Sequence, residues 1–134
     1  MINKPFGYVC SMEDPQGRPV VTDLLKTVPQ RVYPVGRLDF DSLGLLLMTN
    51  DGEWAYRLTH PRYGVTRTYK VTVAGEVGDS AVQALQRGVS LDDGTTARAR
   101  VKVLSRNRDR TVVRVSITQG KSRQVRRMFE AVGH

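Results

Sequence analysis

Two carboxylates, Asp39 and Asp41, stand two residues apart in the stretch Gly36-Arg37-Leu38-Asp39-Phe40-Asp41. Asp39 is flanked by the apolar Leu38 and Phe40 and precedes the apolar run Leu43 to Thr49. A carboxylate in that setting is either a turn or cap residue or a reactive group held at a strand edge. Spacing alone favours the turn or cap. With Asp41 close by, a carboxylate pair of the kind glycosidases use is conceivable. Asp92-Asp93-Gly94 reads as an ordinary turn. Other chemistries have less to work with. One cysteine and two histidines, Cys10, His60 and His134, offer no clustered metal spacing, so no metal is expected. Cys10 has no recognisable histidine partner for a thiol nucleophile. Gly120-Lys121-Ser122 ends like a phosphate-binding loop, but the required glycine five positions earlier is Val115.

The remaining chemical signal is charge. The 134 residues include 21 basic and 13 acidic side chains, a net charge of +8. The stretch Arg98 to Arg127 alone holds 11 basic residues against one acid, Asp109. Such asymmetry points first to a nucleic-acid partner and second to an anionic membrane surface. Arginine dominates, and its planar fork suits phosphate better than an ammonium does. A solvated basic face without a partner is the bland alternative.

The elements that must position these groups follow from pattern. The length suits one domain, and a hydrophobic fraction of 40% with 25% charged residues is globular composition. No apolar run approaches the ~20 residues of a membrane span, and the N-terminus does not read as a signal peptide. Tyr8 to Cys10 reads as a short strand. Val20 to Leu25 opens a short helix capped by Thr22 or Asp23. Leu43 to Thr49 is a buried strand that stops at Asn50-Asp51-Gly52. Glu53 to Thr59 is a helix capped by Asn50 or Asp51, with Trp54, Ala55 and Leu58 on one face. Thr68 to Ala74 alternates as a strand, and Asp79 to Gly88 is a helix closed by its glycine. Ala99 to Leu104 and Thr111 to Thr118 pair through a hairpin loop. Val125, Met128, Phe129 and Val132 form one helical stripe, with Ser122 as cap. Arg123 and Arg127 lie opposite that stripe, and Arg126 lies on its flank. Cations crowd the N-terminal half of this helix, where its dipole disfavours them by ~0.3–1 kcal/mol each. A bound anion would explain that placement, as would tolerated surface charge.

The run Gly36 to Gly52, GRLDFDSLGLLLMTNDG, closely resembles the signature of bacterial ribosomal RNA pseudouridine synthases, in the branch that contains RsuA and RluB. Three further segments agree in order and spacing: Asn3 to Gly7, Arg67 to Val71, and Gly120 to Met128. Together they span nearly the whole chain.

The resemblance implies an α+β domain of the pseudouridine synthase fold, with a mixed, mainly antiparallel sheet, flanking helices and a central active-site cleft. It implies that Asp39 is the essential carboxylate, which reverses the reading from spacing. A uridine is flipped from its stack, the C1′–N1 bond breaks, the uracil rotates, and a C1′–C5 bond forms. Tyr69 matches the active-site tyrosine, expected to stack on the uracil and a candidate to assist proton loss at C5. Arg126 matches the basic residue that pairs with the aspartate, and a guanidinium favours an ionised carboxylate. Arg37 is expected to contact RNA, and Lys70, Lys121, Arg123 and Arg127 to hold it, chiefly through phosphates.

No metal or organic cofactor is implied. The implied partner is ribosomal RNA rather than a membrane, in the cytoplasm, with the protein a monomer. Residues 1–134 would form one catalytic domain. Relatives usually carry an N-terminal S4-type RNA-binding domain, expected to be absent here, and continue past the Gly133-His134 position, so the C-terminus is expected to be truncated. The stretch Arg87 to Gly94 leans toward the large-subunit enzymes. The competing classes are a noncatalytic RNA-binding module indifferent to Asp39 and, disfavoured by Val115, a phosphate-handling enzyme.

Overall fold

A computed structural model describes residues 1–134. The chain forms two compact units, Met1–Tyr63 and Gly64–His134.

The first unit is built on a three-stranded antiparallel sheet with β3 (Gly44–Thr49) at its centre. β1 (Ile2–Lys4) pairs along one edge, with Ile2 opposite Leu46, and β2 (Tyr33–Val35) along the other, with Val35 opposite Leu47. The run containing β3 is apolar but less buried than its composition suggests. Leu46 is 3% exposed, whereas Leu45 is 66% and Leu43 67% exposed. Side chains alternate across a strand, so Leu46 and Leu45 point to opposite faces, and only Leu46 is fully buried.

Tyr8 to Cys10 does not form a strand. Val9 makes a single parallel bridge with Val20, fixed by hydrogen bonds from Val9 N to Pro19 O (2.8 Å) and from Val21 N to Val9 O (3.0 Å). The helix expected over Val20 to Leu25 is a 3-10 turn at Val21–Leu25 with Val20 in the capping position, and the Asp23 carboxylate accepts from Val20 N at 2.9 Å. α1 (Gly52–Thr59) starts where expected, because Asp51 Oδ1 accepts from Trp54 N at 3.0 Å.

The second unit has a three-stranded antiparallel sheet in the order β4 (Arg67–Ala74), β8 (Arg110–Ile117), β7 (Arg100–Arg106). Between β4 and β7 the chain forms α2 (Asp79–Arg87) and a small hairpin, β5 (Ser90–Leu91) with β6 (Gly94–Thr95). α3 (Gln124–Glu130) follows β8. Alternation on β8 sends Val113, Val115 and Ile117 into one core with Val101, Leu85, Met128 and Phe129. Each such side chain contributes roughly 1.5–3 kcal/mol when fully buried. Tyr69, Val71 and Val73 of β4 pack against this core, as do Val125 and Val132, which complete the expected stripe.

Two polar details close the unit. The buried Thr111 hydroxyl accepts from Val77 N (3.0 Å) and donates to Gly75 O (2.8 Å), satisfying the turn after β4. Gly88 ends α2 at φ +102°, and a Cβ there would collide with the Thr96 carbonyl oxygen, so only glycine fits.

Ser122 does not cap α3. The capping position is Arg123, whose φ of 48° makes it the one non-glycine residue in the left-handed region. The side chain of Gln124 turns back instead, its Oε1 accepting from Lys121 N at 3.0 Å and its Nε2 donating to Gln119 Oε1 at 3.2 Å. Every strand pairing is antiparallel, in agreement with the α+β expectation.

Candidate active site

In the first unit Asp39 sits on the loop between β2 and β3, half-buried, with Arg37 exposed two residues before it. The loop is tightly held. Asp39 O accepts from Ser42 N at 3.0 Å, which closes a turn around Phe40 and Asp41. Gly7 N donates to Phe40 O at 2.9 Å, and Leu38 N donates to Cys10 Sγ at 3.3 Å. Cys10, unpromising as a nucleophile, is therefore part of the loop's support.

The strongest support is Lys4, whose side chain has no exposed surface. Its Nζ donates to Ser42 O (2.7 Å), Pro5 O (3.0 Å) and Phe40 O (3.3 Å). Three carbonyls thus satisfy the three protons of one ammonium. Burial pulls this lysine below its ordinary value of 10.5, and the charges of Cys10, Asp41 and Asp39 oppose that fall. In the sequence Lys4 stands out only as part of the Asn3 to Gly7 motif. Its burial depends on β1 lying beside β3, with Lys4 opposite Gly44.

In the second unit Tyr69 and Lys70 are neighbours on β4 and therefore face opposite ways. Tyr69 is half-buried against the core, in register with Val115, while Lys70 is exposed on the other face. Lys121 and Arg123 precede α3 and Arg126 and Arg127 lie within it, with Arg126 half-buried and Arg123 exposed.

Asp93, an ordinary turn residue by sequence pattern, takes two of these cations. Arg127 Nη2 bonds Asp93 Oδ2 at 2.9 Å, and Lys121 Nζ lies 3.4 Å from Asp93 Oδ1 while donating to Asp93 O at 2.8 Å. The Arg127 hydrogen bond, ahead of that from Lys121, holds the Asp93 carboxyl below the usual range, and Arg127 is raised in return. Arg127 Nε also donates to Ser122 O at 3.0 Å. Lys121, ahead of α3, and Arg127, in the last turn of this short helix where the dipole favours a cation, are thus both answered by a carboxylate of the same unit. The signal that could have found Asp93 is its place at a hairpin tip beside Gly94, which the lysine reaches.

No group of three His, Cys, Asp or Glu side chains is placed to hold a metal ion. No helix is long and apolar enough to cross a membrane.

The sequence pattern of the RNA pseudouridylate synthase family matches residues 1–131. The chain belongs to that family. Its similarity to individual members of the family is high. It is 46% identical over 136 residues to ribosomal large subunit pseudouridine synthase B of Bacillus subtilis (strain 168), covering all of this chain and 56% of that protein. It is 41% identical over 136 residues to ribosomal small subunit pseudouridine synthase A of Escherichia coli (strain K12), covering all of this chain and 57% of that protein. A crystal structure of a pseudouridylate synthase superposes with a TM-score of 0.88 at 34% identity, covering 98% of this chain and 56% of the other. The chain therefore spans a little over half the length of these relatives, and its α+β fold is that of a pseudouridine synthase.

Proposed function

We propose that this chain is the catalytic part of an enzyme that isomerises a uridine of ribosomal RNA to pseudouridine. The observation that carries the reading is the family match over residues 1–131, which includes the Gly36 to Gly52 signature around Asp39. Both named relatives are enzymes of this kind. The reaction is balanced within the substrate. The C1′–N1 bond breaks, the uracil turns, the C1′–C5 bond forms, and the proton leaving C5 is offset by one gained at N1. No oxidant, reductant or group donor is consumed, so no organic cofactor and no metal is assigned.

In this reading Asp39 is the essential carboxylate. Attack on the sugar and removal of a sugar proton both require it ionised, and the hydrogen bonds around residues 38–42 keep its backbone in one place. Tyr69 stacks on the flipped uracil, and Arg126 is the cation assigned to the aspartate. Arg37, Lys70, Arg123, Lys121 and Arg127 contact the RNA, the last two only after exchanging Asp93 for phosphate. We assign the target to the large-subunit RNA, because the large-subunit relative is the more similar of the two named above and the stretch Arg87 to Gly94 leans the same way. An RNA substrate of this kind places the enzyme in the cytoplasm, and we propose that it acts as a monomer on a single catalytic domain.

The test is release of tritium from ribosomal RNA labelled at uracil C5, comparing the protein with its Asp39→Asn variant. Release by the wild type alone supports the reading, with RNA binding by the variant retained. Equal release by Asp39→Asn would remove the assignment of that residue. No release by either protein would remove the proposed activity.

A further inference from the structure

Alternation fixes which side chains share the two faces of the sheet in the second unit. Val113 and Val115 of β8 enter the core, so Arg114 between them faces the opposite way. Arg114 lies directly opposite Lys70 of β4 on one side and directly opposite Lys102 of β7 on the other. The three are exposed and form one cross-strand row. The next row on that face is Thr68, Ser116 and Arg100, in which the Thr68 and Ser116 hydroxyls are hydrogen-bonded at 2.8 Å.

Strands lie ~4.8 Å apart, so the three cations are strung over roughly 10 Å. Like charges directly opposite one another destabilise a sheet. No carboxylate answers them. Arg18, Arg57, Arg106, Lys121 and Arg127 each have an acidic partner, but Lys70, Lys102, Arg114 and Arg100 have none. β-branched or aromatic residues would suit such positions better than lysine or arginine. The fold therefore carries a repulsive row that does nothing for its own stability.

We propose that this outer sheet face is a binding surface for the phosphodiester backbone of RNA, centred on Arg114 and flanked by Lys70, Lys102 and Arg100. It rests on the RNA reading above and adds to it a contact surface on the face of the sheet opposite Tyr69. Charge complementarity identifies the partner. Successive phosphates present a line of negative charge, and the row presents a line of positive charge unscreened by any acid. The surface positions RNA without reading its bases, since a phosphate contact carries no sequence information.

The experiment compares the wild type with Lys70→Gln/Lys102→Gln/Arg114→Gln. It measures binding to a ribosomal RNA fragment from 50 to 300 mM salt, together with the melting temperature. The variant is expected to bind at least tenfold more weakly at low salt. Its plot of log K against log salt is expected to be shallower by about two, since each neutralised single-strand phosphate adds roughly 0.7 to the slope. Its melting temperature is expected to stay level or rise, because a like-charge row has been removed. Arg114→Gln alone should give about a third of the slope change, and it serves as the check should the triple variant fold poorly. Equal affinity and slope in a wild type and variant that both bind RNA would overturn the surface and leave the enzymatic reading intact. Loss of binding to phosphatidylglycerol vesicles with RNA binding unaltered would also overturn it, in favour of a membrane. A wild type that neither binds ribosomal RNA nor releases tritium would remove both proposals.

Discussion

The ammonium of Lys4 donates a 2.7 Å hydrogen bond to the carbonyl of Ser42, 38 positions further along the chain. With its bonds to Phe40 and Pro5, it ties β1 to the turn that begins at Asp39. Lys4→Met keeps the length of the side chain but leaves those carbonyls without their donor. The expected cost is roughly 2–4 kcal/mol, since hydrogen bonds to charged groups are worth about 1.5–3 kcal/mol and orphaned acceptors add to the loss. Burial lowers this lysine, so the unfolded chain holds the proton to higher pH than the folded one. Stability therefore gains with pH in the window below 10.5. The gap in melting temperature between wild type and Lys4→Met should widen from pH 7 toward pH 10. A gap that narrows would show that burial does not govern this group.

Asp14 and Arg18 supply the opposite pH signature. Arg18 bonds the Asp14 carboxylate through Nη2 (2.7 Å) and Nε (3.0 Å), and its backbone N–H adds a third bond at 2.9 Å. The side-chain bonds, followed by the backbone bond, pull Asp14 from 3.8 to about 2. A depressed carboxylate stabilises the fold fully above 3.8 and loses that contribution as pH falls toward about 2. Arg18→Gln should thus melt below the wild type at pH 6, and the difference should shrink steadily between pH 4 and pH 2.5. A difference independent of pH would assign the effect to packing of Arg18 over the Phe40 ring, 6.0 Å away.

What the sequence disclosed was mostly local. The Asp51 cap, the alternation of β4, the glycine stop after α2 and the apolar stripe of α3 all depend on neighbours within a turn or a strand. Apart from the adjacent Pro5 carbonyl, the partners of Lys4, Cys10 and Asp93 lie 28 to 38 positions away and are backbone atoms or distant cations, so no local pattern reveals them. Ser122 was a reasonable cap by residue type, but the Gln124 side chain reaches Lys121 N first and Arg123 takes the left-handed position. The apolar run 43–48 suggests full burial, whereas only Leu46 of it is fully buried and Leu43, ahead of β3, and Leu45, on the face opposite Leu46, stay exposed. Motif order gave the assignments of Asp39, Tyr69 and Arg126. Composition alone could not separate Tyr69 from any other strand aromatic.

Tyr69 offers a way to separate its packing from its proposed chemistry. Its ring packs against the core beside Val71 and Val73, in register with Val115. Tyr69→Ala should cost about 2–4 kcal/mol, as truncation of a large, partly buried ring does. Tyr69→Phe keeps the ring and should stay within about 1 kcal/mol of the wild type, since only the hydroxyl is lost. If the ring stacks on uracil while the hydroxyl assists proton loss at C5, Tyr69→Phe will bind ribosomal RNA normally. Its tritium release at saturating RNA will then slow by about a hundredfold, within the usual range for general acid–base assistance. A wild-type release rate in Tyr69→Phe would confine the residue to stacking. Weakened RNA binding in Tyr69→Phe, with stability unchanged, would instead assign the hydroxyl to holding the substrate rather than to moving its proton.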